Sequence, residues 1–350
     1  MDYKKEIKRC IKLAKAAQGQ TSPNPMVGCM ILNSEGNVIS EGYHKAYGEF
    51  HAERNALLKL DNAKDCTLIV NLEPCCHKGK TPPCTDIIIE KGIKKVVYGM
   101  KDPNPKVAGK GLEILKNANI ELIGPVLEEE CKELNEIFIK NQTQQKTFVA
   151  LKTATTIDGK IATSTKDSKW ITSESARKKG KELRSYYDAI LTSSSTIIAD
   201  NPTMKHKRKI ILDRELKTDF NSNIYKQGEI FVFYDENIKN SKIISKNNNI
   251  KCIPTPTKQN KLDIEFILNK IYNLGIMSIF IEAGGKMNAS FLPYIDKLYH
   301  FIAPKVLSDN SGKSCFDGES IQKIADCTNL SITNIEKYSP DILITYKNHY

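Results

Sequence analysis

The chain has 350 residues, 40% of them hydrophobic and 27% charged, with a formal net charge of +11. That length allows two domains with separate cores, and the composition is that of an ordinary soluble globular protein. No apolar run is long enough to cross a bilayer as a helix, and Met1-Asp-Tyr-Lys-Lys-Glu-Ile7 lacks the apolar core of a signal peptide, so a cytoplasmic location is expected. The ten cysteines are scattered, which suits reduced thiols with a few recruited to a metal better than a disulfide framework. The positive charge is lysine-heavy and spread along the sequence, and its densest cluster, Lys205-His-Lys-Arg-Lys209, is short. A nucleic-acid groove would concentrate basic residues beside aromatic ones; a phosphorylated small substrate accounts for the charge equally well.

Taken in order, helical spacing of Ile7, Cys10, Ile11 and Ala14 predicts an amphipathic helix over 4–17. A proline-punctuated turn at 21–28 feeds a strand over 27–32, and Ser34-Glu-Gly-Asn37 reads as a hairpin turn into Val38-Ile39. Residues 42–50 read as a loop running into a helix over 52–60, which puts His51 and Glu53 at that helix's N-terminus. A strand over 66–72 ends at Glu73-Pro74, and a second helix over 84–92 stops at Gly92. A strand at 94–100, a helix at 111–118, a strand at 120–123 and a helix at 128–140 complete a layered α/β domain. The polar stretch Asn141-Gln-Thr-Gln-Gln-Lys146 reads as a linker, so domains of 1–145 and 146–350 are expected.

The second half begins with a strand at 148–151 and a turn over 155–160. Trp170-Ile-Thr-Ser173 leads into a helix over 174–186, with Ser173 or Thr172 as N-cap. β-branched runs predict strands at 189–191, 209–212, 230–233 and 277–281, and helices are expected at 262–274 and 286–292. Strands at 298–302 and 342–345 are expected to close the sheet. In Glu282-Ala-Gly-Gly285 the glycines let backbone N–H groups approach an anion ahead of a helix. This half too reads as α/β.

Chemistry concentrates between Gly48 and Cys84. His51-Ala-Glu53 followed by Pro74-Cys75 and Cys84 supplies one histidine, two thiols and a spare carboxylate, the parts of a hydrolytic zinc site. Three protein ligands leave a coordination position open for chemistry, and a glutamate off the metal can carry the proton. Two plainer readings stand beside this. A structural zinc would show two matched Cys-x-x-Cys knuckles, which are missing here, and unrelated cysteines are often small buried hydrophobes. The interval from Cys75 to Cys84 is longer than the two-residue gap of the common deaminase signature, and the adjacent Cys76 competes as a ligand.

Wider motifs carry a family resemblance. Asn24-Pro-Met-Val-Gly28, Glu41-Gly-Tyr-His44, His51-Ala-Glu53, Glu73-Pro-Cys75 with His77, Thr81-Pro-Pro-Cys84 and Lys101-Asp-Pro-Asn-Pro105 resemble the bifunctional riboflavin-biosynthesis deaminase-reductases. Thr156-Ile-Asp-Gly-Lys160, Trp170-Ile-Thr-Ser173, Arg184, Ala199-Asp-Asn-Pro202, Glu282-Ala-Gly284 and Ala303-Pro-Lys305 extend the resemblance over nearly the whole chain. It implies a cytidine-deaminase-like α/β/α domain followed by a dihydrofolate-reductase-like α/β domain. The first would hydrolyse the exocyclic amine of 2,5-diamino-6-ribosylamino-4(3H)-pyrimidinone 5′-phosphate. The second would use NADPH to reduce the ribosyl group to ribityl.

Residue by residue, the resemblance implies Zn²⁺ on His51, Cys75 and Cys84, with Glu53 catalytic. It implies pyrimidine contacts from Asn24, His44, His77 and Lys80. In the second half it implies NADPH contacts from Ala154, Trp170, Thr196, Asp200 and Gly284, and substrate contacts from Ser168, Arg184, Met204, Lys207 and Glu282. Taken singly, Trp170 could equally be core and Arg184 a solvated helix charge. Two residues and one segment depart from the family pattern: Lys207 stands where arginine is usual, Asn201 where aspartate is frequent, and Ser193-Ser-Ser195 where many members have glycines. An extended second domain suits a homodimer or higher homo-oligomer. The rival readings are a deaminase joined to a silent second domain, and a nucleic-acid-editing deaminase.

Overall fold

The computed structural model describes residues 2–79, 81–104, 107–238 and 249–348. It divides into two compact units, Met1–Gln145 and Lys146–Tyr350.

The first unit runs α1 (Lys4–Lys15), β1 (Gly28–Leu32), β2 (Val38–Tyr43), α2 (Ala52–Leu57), β3 (Thr67–Leu72), α3 (Cys84–Glu90), β4 (Lys95–Met100), α4 (Lys110–Asn117), β5 (Glu121–Ile123), α5 (Glu128–Leu134) and α6 (Glu136–Gln144). Its sheet has the order β2-β1-β3-β4-β5. The hairpin and the β1–β3 pair are antiparallel, whereas β3, β4 and β5 are parallel. β1 and β3 are buried almost throughout, as strands covered on both faces must be. Helices α1 and α5 pack on one face; α2, α3 and α4 lie along the other. Gly42 sets how closely α2 approaches: a Cβ there would lie 2.6 Å from the backbone nitrogen of Ala56. Any larger residue would push away the helix that carries Glu53.

The second unit runs β6 (Phe148–Thr155), β7 (Lys160–Ala162), α7 (Glu174–Arg184), β8 (Ala189–Ser193), α8 (Ser194–Asp200), β9 (Arg208–Leu212), β10 (Glu229–Asp235) and β11 (Ile250–Thr255). Then come β12 (Thr257–Lys258), β13 (Lys261–Leu262), α9 (Ile264–Asn273), β14 (Ser278–Ile281), α10 (Gly285–Phe291), β15 (Lys297–Ile302), β16 (Lys313–Ser314), β17 (Leu330–Tyr338) and β18 (Asp341–Asn348). Its main sheet has the order β11-β10-β9-β8-β14-β6-β15-β18-β17, parallel up to β15 and antiparallel beyond it. One apolar core links Val149, Leu151, Ile210, Phe233, Ile279 and Phe291. Ser173 is the N-cap of α7, its hydroxyl accepting from the Ala176 N–H at 3.3 Å.

Four expectations need correction. The predicted helix over 128–140 is two helices, because Asn135 turns its amide onto the Met26 backbone, accepting from its N–H at 2.8 Å and donating to its carbonyl at 3.1 Å. The polar stretch read as a linker is helical through Gln144, with Lys140 and Asn141 buried; glutamine and lysine are good helix formers as well as linker residues. β2 continues through Tyr43 into what reads as loop, held by its ladder to β1. The strand over 342–345 does not close the sheet, since Leu330–Tyr338 pairs outside it. That edge strand escapes sequence reading because little of it is buried, so it carries no periodic apolar signal.

Candidate active sites of the two units

The first site is assembled from three helix and strand ends. His51 is the N-cap of α2, with extended backbone (φ −69°, ψ 163°), and Glu53, 3% exposed, lies in the first turn. Cys84 opens α3; its N–H and that of Thr85 donate to the Cys75 carbonyl at 3.1 and 3.2 Å. Those two bonds close the long loop between the cysteines and bring their sulfurs together. Cys75 Sγ lies 3.4 Å and Cys84 Sγ 3.5 Å from His51 Nδ1. All three donor atoms fall within 4.8 Å of one another, and Cys76 stands outside the group. A tetrahedral zinc with bonds of about 2.3 Å to sulfur and about 2.0 Å to nitrogen keeps those atoms about 3.5 Å apart, so the donor set fits the ion.

The electrostatics agree with that fit. The hydrogen bond to Cys84 is the main influence holding the Cys75 thiol well below its ordinary range, with His51 adding to it. The same bond raises Cys84, so the pair favours a single thiolate on Cys75 beside the histidine. Burial, then the charge of Cys75, pushes the Glu53 carboxyl up to about 7, where it can exchange a proton near neutral pH.

These groups open onto a cavity of about 320 Å³ that Asn24, His44 and His77 also line. His44 Nδ1 lies 3.1 Å from the Phe50 carbonyl and its Nε2 3.2 Å from Asn24 Nδ2. A carbonyl only accepts, so Nδ1 carries the proton and Nε2 accepts from the Asn24 amide. Burial lowers the His44 pKa and favours this neutral ring. Lys80 lies outside the described residues. Among the lining residues missed as individual site residues are Asp102 and Asn104. Asp102 is buried, accepts from the Asn104 N–H at 2.8 Å, and is pushed up to about 6 by burial. Their place just after β4, in Lys101-Asp-Pro-Asn104, was the available signal: a carboxylate and an amide at the carboxyl end of a parallel strand.

The second unit spreads its predicted residues more widely. Trp170 is 62% exposed and stacks against the Arg177 guanidinium at 4.3 Å, so it is no core residue. With Ser168, Lys160 and Lys305 it lines a cavity of about 210 Å³. Arg184 Nη2 meets Glu282 Oε2 at 2.5 Å, and Lys152 Nζ lies 3.8 Å from the other oxygen. Arg184 is therefore engaged and not a loose surface charge. Ala154 lies near the carboxyl end of β6, Thr196 and Asp200 on α8, which follows β8, and Glu282 directly after β14, three neighbouring parallel strands. Gly284 is the N-cap of α10, where a Cβ would meet no atom within 4 Å, so its backbone is open to a phosphate. That room, beside the carboxyl ends of the neighbouring parallel strands β8, β14 and β6, fits a dinucleotide. Met204 packs against the cluster of Ile197, Ile211 and Tyr225. Lys207 is exposed and precedes β9, at the amino end of the parallel strands, whereas Ala154 lies near their carboxyl end. Asn201 adopts a left-handed backbone (φ 42°), a conformation asparagine tolerates well, and its Oδ1 accepts from the Asn223 N–H at 2.9 Å.

Comparison with known proteins draws the units together. Residues 2–100 match the cytidine and deoxycytidylate deaminase zinc-binding region, and residues 147–344 match the RibD C-terminal domain. The riboflavin biosynthesis protein RibD of Aquifex aeolicus is 38% identical over 99% of this chain and 98% of its own length. That of Actinobacillus pleuropneumoniae is 36% identical, covering 99% of this chain and 94% of itself. The chain belongs to the RibD family. A solved RibD-type structure agrees: the diaminohydroxyphosphoribosylaminopyrimidine deaminase/5-amino-6-(5-phosphoribosylamino)uracil reductase of Thermotoga maritima superposes with a TM-score of 0.88, at 36% identity over 99% of both chains. RibD of Acinetobacter baumannii superposes equally well, with a TM-score of 0.88 at 29% identity. As a RibD-family member this chain is a bifunctional enzyme of riboflavin biosynthesis, a zinc-dependent deaminase joined to an NADPH-dependent reductase. It acts on a small phosphorylated pyrimidine. The fold is the cytidine-deaminase-like and dihydrofolate-reductase-like pair that the resemblance implied. Among the described residues no helix is long and apolar enough to cross a membrane.

Proposed function

We propose that residues 1–145 form the deaminase domain, removing the exocyclic amine of 2,5-diamino-6-ribosylamino-4(3H)-pyrimidinone 5′-phosphate. Residues 146–350 then form the reductase domain, converting the ribosyl group to ribityl and yielding 5-amino-6-ribitylamino-uracil 5′-phosphate. The observation that carries the first half is the convergence of His51 Nδ1, Cys75 Sγ and Cys84 Sγ beside the buried Glu53. In this reading His51, Cys75 and Cys84 hold zinc, which when bound supplies the Lewis acidity that makes water nucleophilic near neutral pH. The Glu53 carboxylate accepts the proton released by that water and passes it to the departing amine, which leaves as ammonia. Asn24 and His77 face the pyrimidine; His44, kept neutral by burial and oriented by Phe50 and Asn24, forms an uncharged wall beside it. Lys80 is a further substrate contact.

In the reductase domain NADPH, when bound, supplies the hydride. Ala154, Trp170, Thr196, Asp200 and Gly284 contact that cofactor, and Ser168, Arg184, Met204, Lys207 and Glu282 contact the substrate. Arg184 can offer a planar fork to a phosphate while Glu282 fixes its orientation. Lys207 adds a point charge where an arginine would add a fork. We take the enzyme to be cytoplasmic, to act on neither nucleic acid nor membrane, and to assemble as a homodimer or higher homo-oligomer. The last point is supported by the exposed edge strand β17, where Ile332 and Ile335 are 56% and 60% exposed.

One assay tests the whole reading. Purified protein given the diaminopyrimidine ribotide should release ammonia and then oxidise NADPH. Ammonia without NADPH oxidation would reduce the proposal to a deaminase with a silent partner domain. Neither signal from zinc-loaded protein would remove it.

A further inference from the structure

Glu73 is 2% exposed, and its carboxylate is met by backbone N–H groups. Oε2 accepts from Asp102 at 3.1 Å and Gly109 at 3.0 Å; Oε1 accepts from Gly111 at 3.1 Å and Leu112 at 3.4 Å. Gly111 and Leu112 are the second and third residues of α4, whose N–H groups a helix ordinarily offers to its own N-cap side chain. Here the N-cap is Gly109, in left-handed backbone (φ 87°) and with no side chain to give. Glu73, from the end of a different element, takes its place, and the positive end of the helix meets its charge.

The anchoring bears on the metal loop through chain connectivity. Pro74 comes next and Cys75 after it, so the carboxylate is fixed two residues from a sulfur of the donor set. Pro74 is also pressed onto α4: a Cβ on Gly111 would collide with the Pro74 carbonyl and lie 3.2 Å from Glu73 Oε1. On the other side, the bond from Asp102 N–H ties in the segment whose Asp102 and Asn104 line the deaminase cavity. One buried carboxylate thus joins the metal loop, the cavity wall and the start of α4.

We infer that Glu73 is a positioning residue of the deaminase site, setting where Cys75 and the Asp102–Asn104 wall stand relative to each other. The inference rests on the proposed role of Cys75 as a zinc ligand.

The test uses the full chain. Glu73→Gln keeps the shape but turns an NH₂ group toward backbone donors, so half the cradle loses its acceptor. Zinc retention against a chromophoric chelator should weaken about ten-fold, and kcat for ammonia release should fall by a similar factor. NADPH oxidation on pre-deaminated substrate should be unchanged. Leu115→Ala, which removes a buried core side chain one turn further along α4, is the control: it should lower the melting temperature yet keep zinc retention and kcat. If Glu73→Gln behaves like Leu115→Ala, losing only thermal stability, Glu73 is merely a cap and the inference is overturned. If Glu73→Gln does not fold, Glu73→Asp decides, with weaker zinc retention supporting the inference and wild-type retention overturning it. Cys75→Ser runs alongside. Retention of zinc by that variant overturns both the ligand reading and the inference, whereas its loss with an unaffected Glu73→Gln overturns the inference alone.

Discussion

The two units solve the placement of a reaction centre in different ways. In the first, the chemistry lies within the stretch from His51 to Cys84, and the two cysteine sulfurs stand 3.4 and 3.5 Å from His51 Nδ1. In the second, the proposed contacts run from Ala154 to Gly284 and are gathered mainly by the parallel sheet, with Trp170 left 62% exposed. A metal ion demands short, fixed distances from a few side chains, so those residues must be locally clamped. A dinucleotide is long and is held by backbone, strand ends and scattered side chains, so its site can be spread out.

Substitutions can break that contrast, beginning with the largest effect. Glu53→Gln should lower kcat for ammonia release by about 10²–10⁴-fold, with zinc content and NADPH oxidation on pre-deaminated substrate unchanged. Loss of both activities would show that the units are not chemically independent.

Acid should then separate the units by sign. Burial holds the His300 imidazole down at about 4, while Thr155 Oγ1 meets its Nε2 at 2.8 Å. The unfolded chain binds a proton there that the folded chain refuses. Stability is therefore full above about 6.5, falls as the pH drops toward 4, and loses on the order of 3 kcal/mol in all. In zinc-stripped protein, Glu53, raised to about 7, has the opposite sign: its burial costs stability as pH rises from 4.5 through 7. Calorimetry of zinc-stripped protein from pH 7 to pH 4 should show the reductase unit's transition moving down in temperature, with His300→Leu flattening that response. The deaminase unit should not share it.

A smaller effect is expected from Arg184→Lys, which replaces a planar fork with a point charge beside Glu282. The KM of the reductase step should rise about ten-fold, and steady-state kinetics should find ammonia release unaltered. Ser173→Ala, which deletes the cap of α7, should cost the second unit about 1 kcal/mol of stability, read as a lower denaturant midpoint, with the first unit's transition unmoved.

Much of the first site was legible because its signal is local. His51 and Glu53 sit at a helix start, and Cys84 opens the next helix, as the pattern of apolar residues and prolines predicts. Asp102 and Asn104 escaped singling out because nothing in Lys101-Asp-Pro-Asn104 says that β4 delivers them to the same cavity. The break at Asn135 was illegible for a similar reason: its cause, the Met26 backbone, lies more than a hundred positions away in sequence. In the second unit Ser173 was readable as a cap, whereas the Arg184–Glu282 pair joins residues 98 apart and needs the fold to be seen.

The sequence by itself determined the residue types of the metal site, the alternation of strands and helices, and the family motifs, since each is written in side-chain chemistry or short-range period. Tertiary structure decided how the Cys75 carbonyl closes the cysteine loop, how Glu73 caps a helix it does not belong to, and which strands are neighbours. Those are contacts between backbone groups and distant partners, and a backbone group carries the same chemistry at nearly every position in the chain.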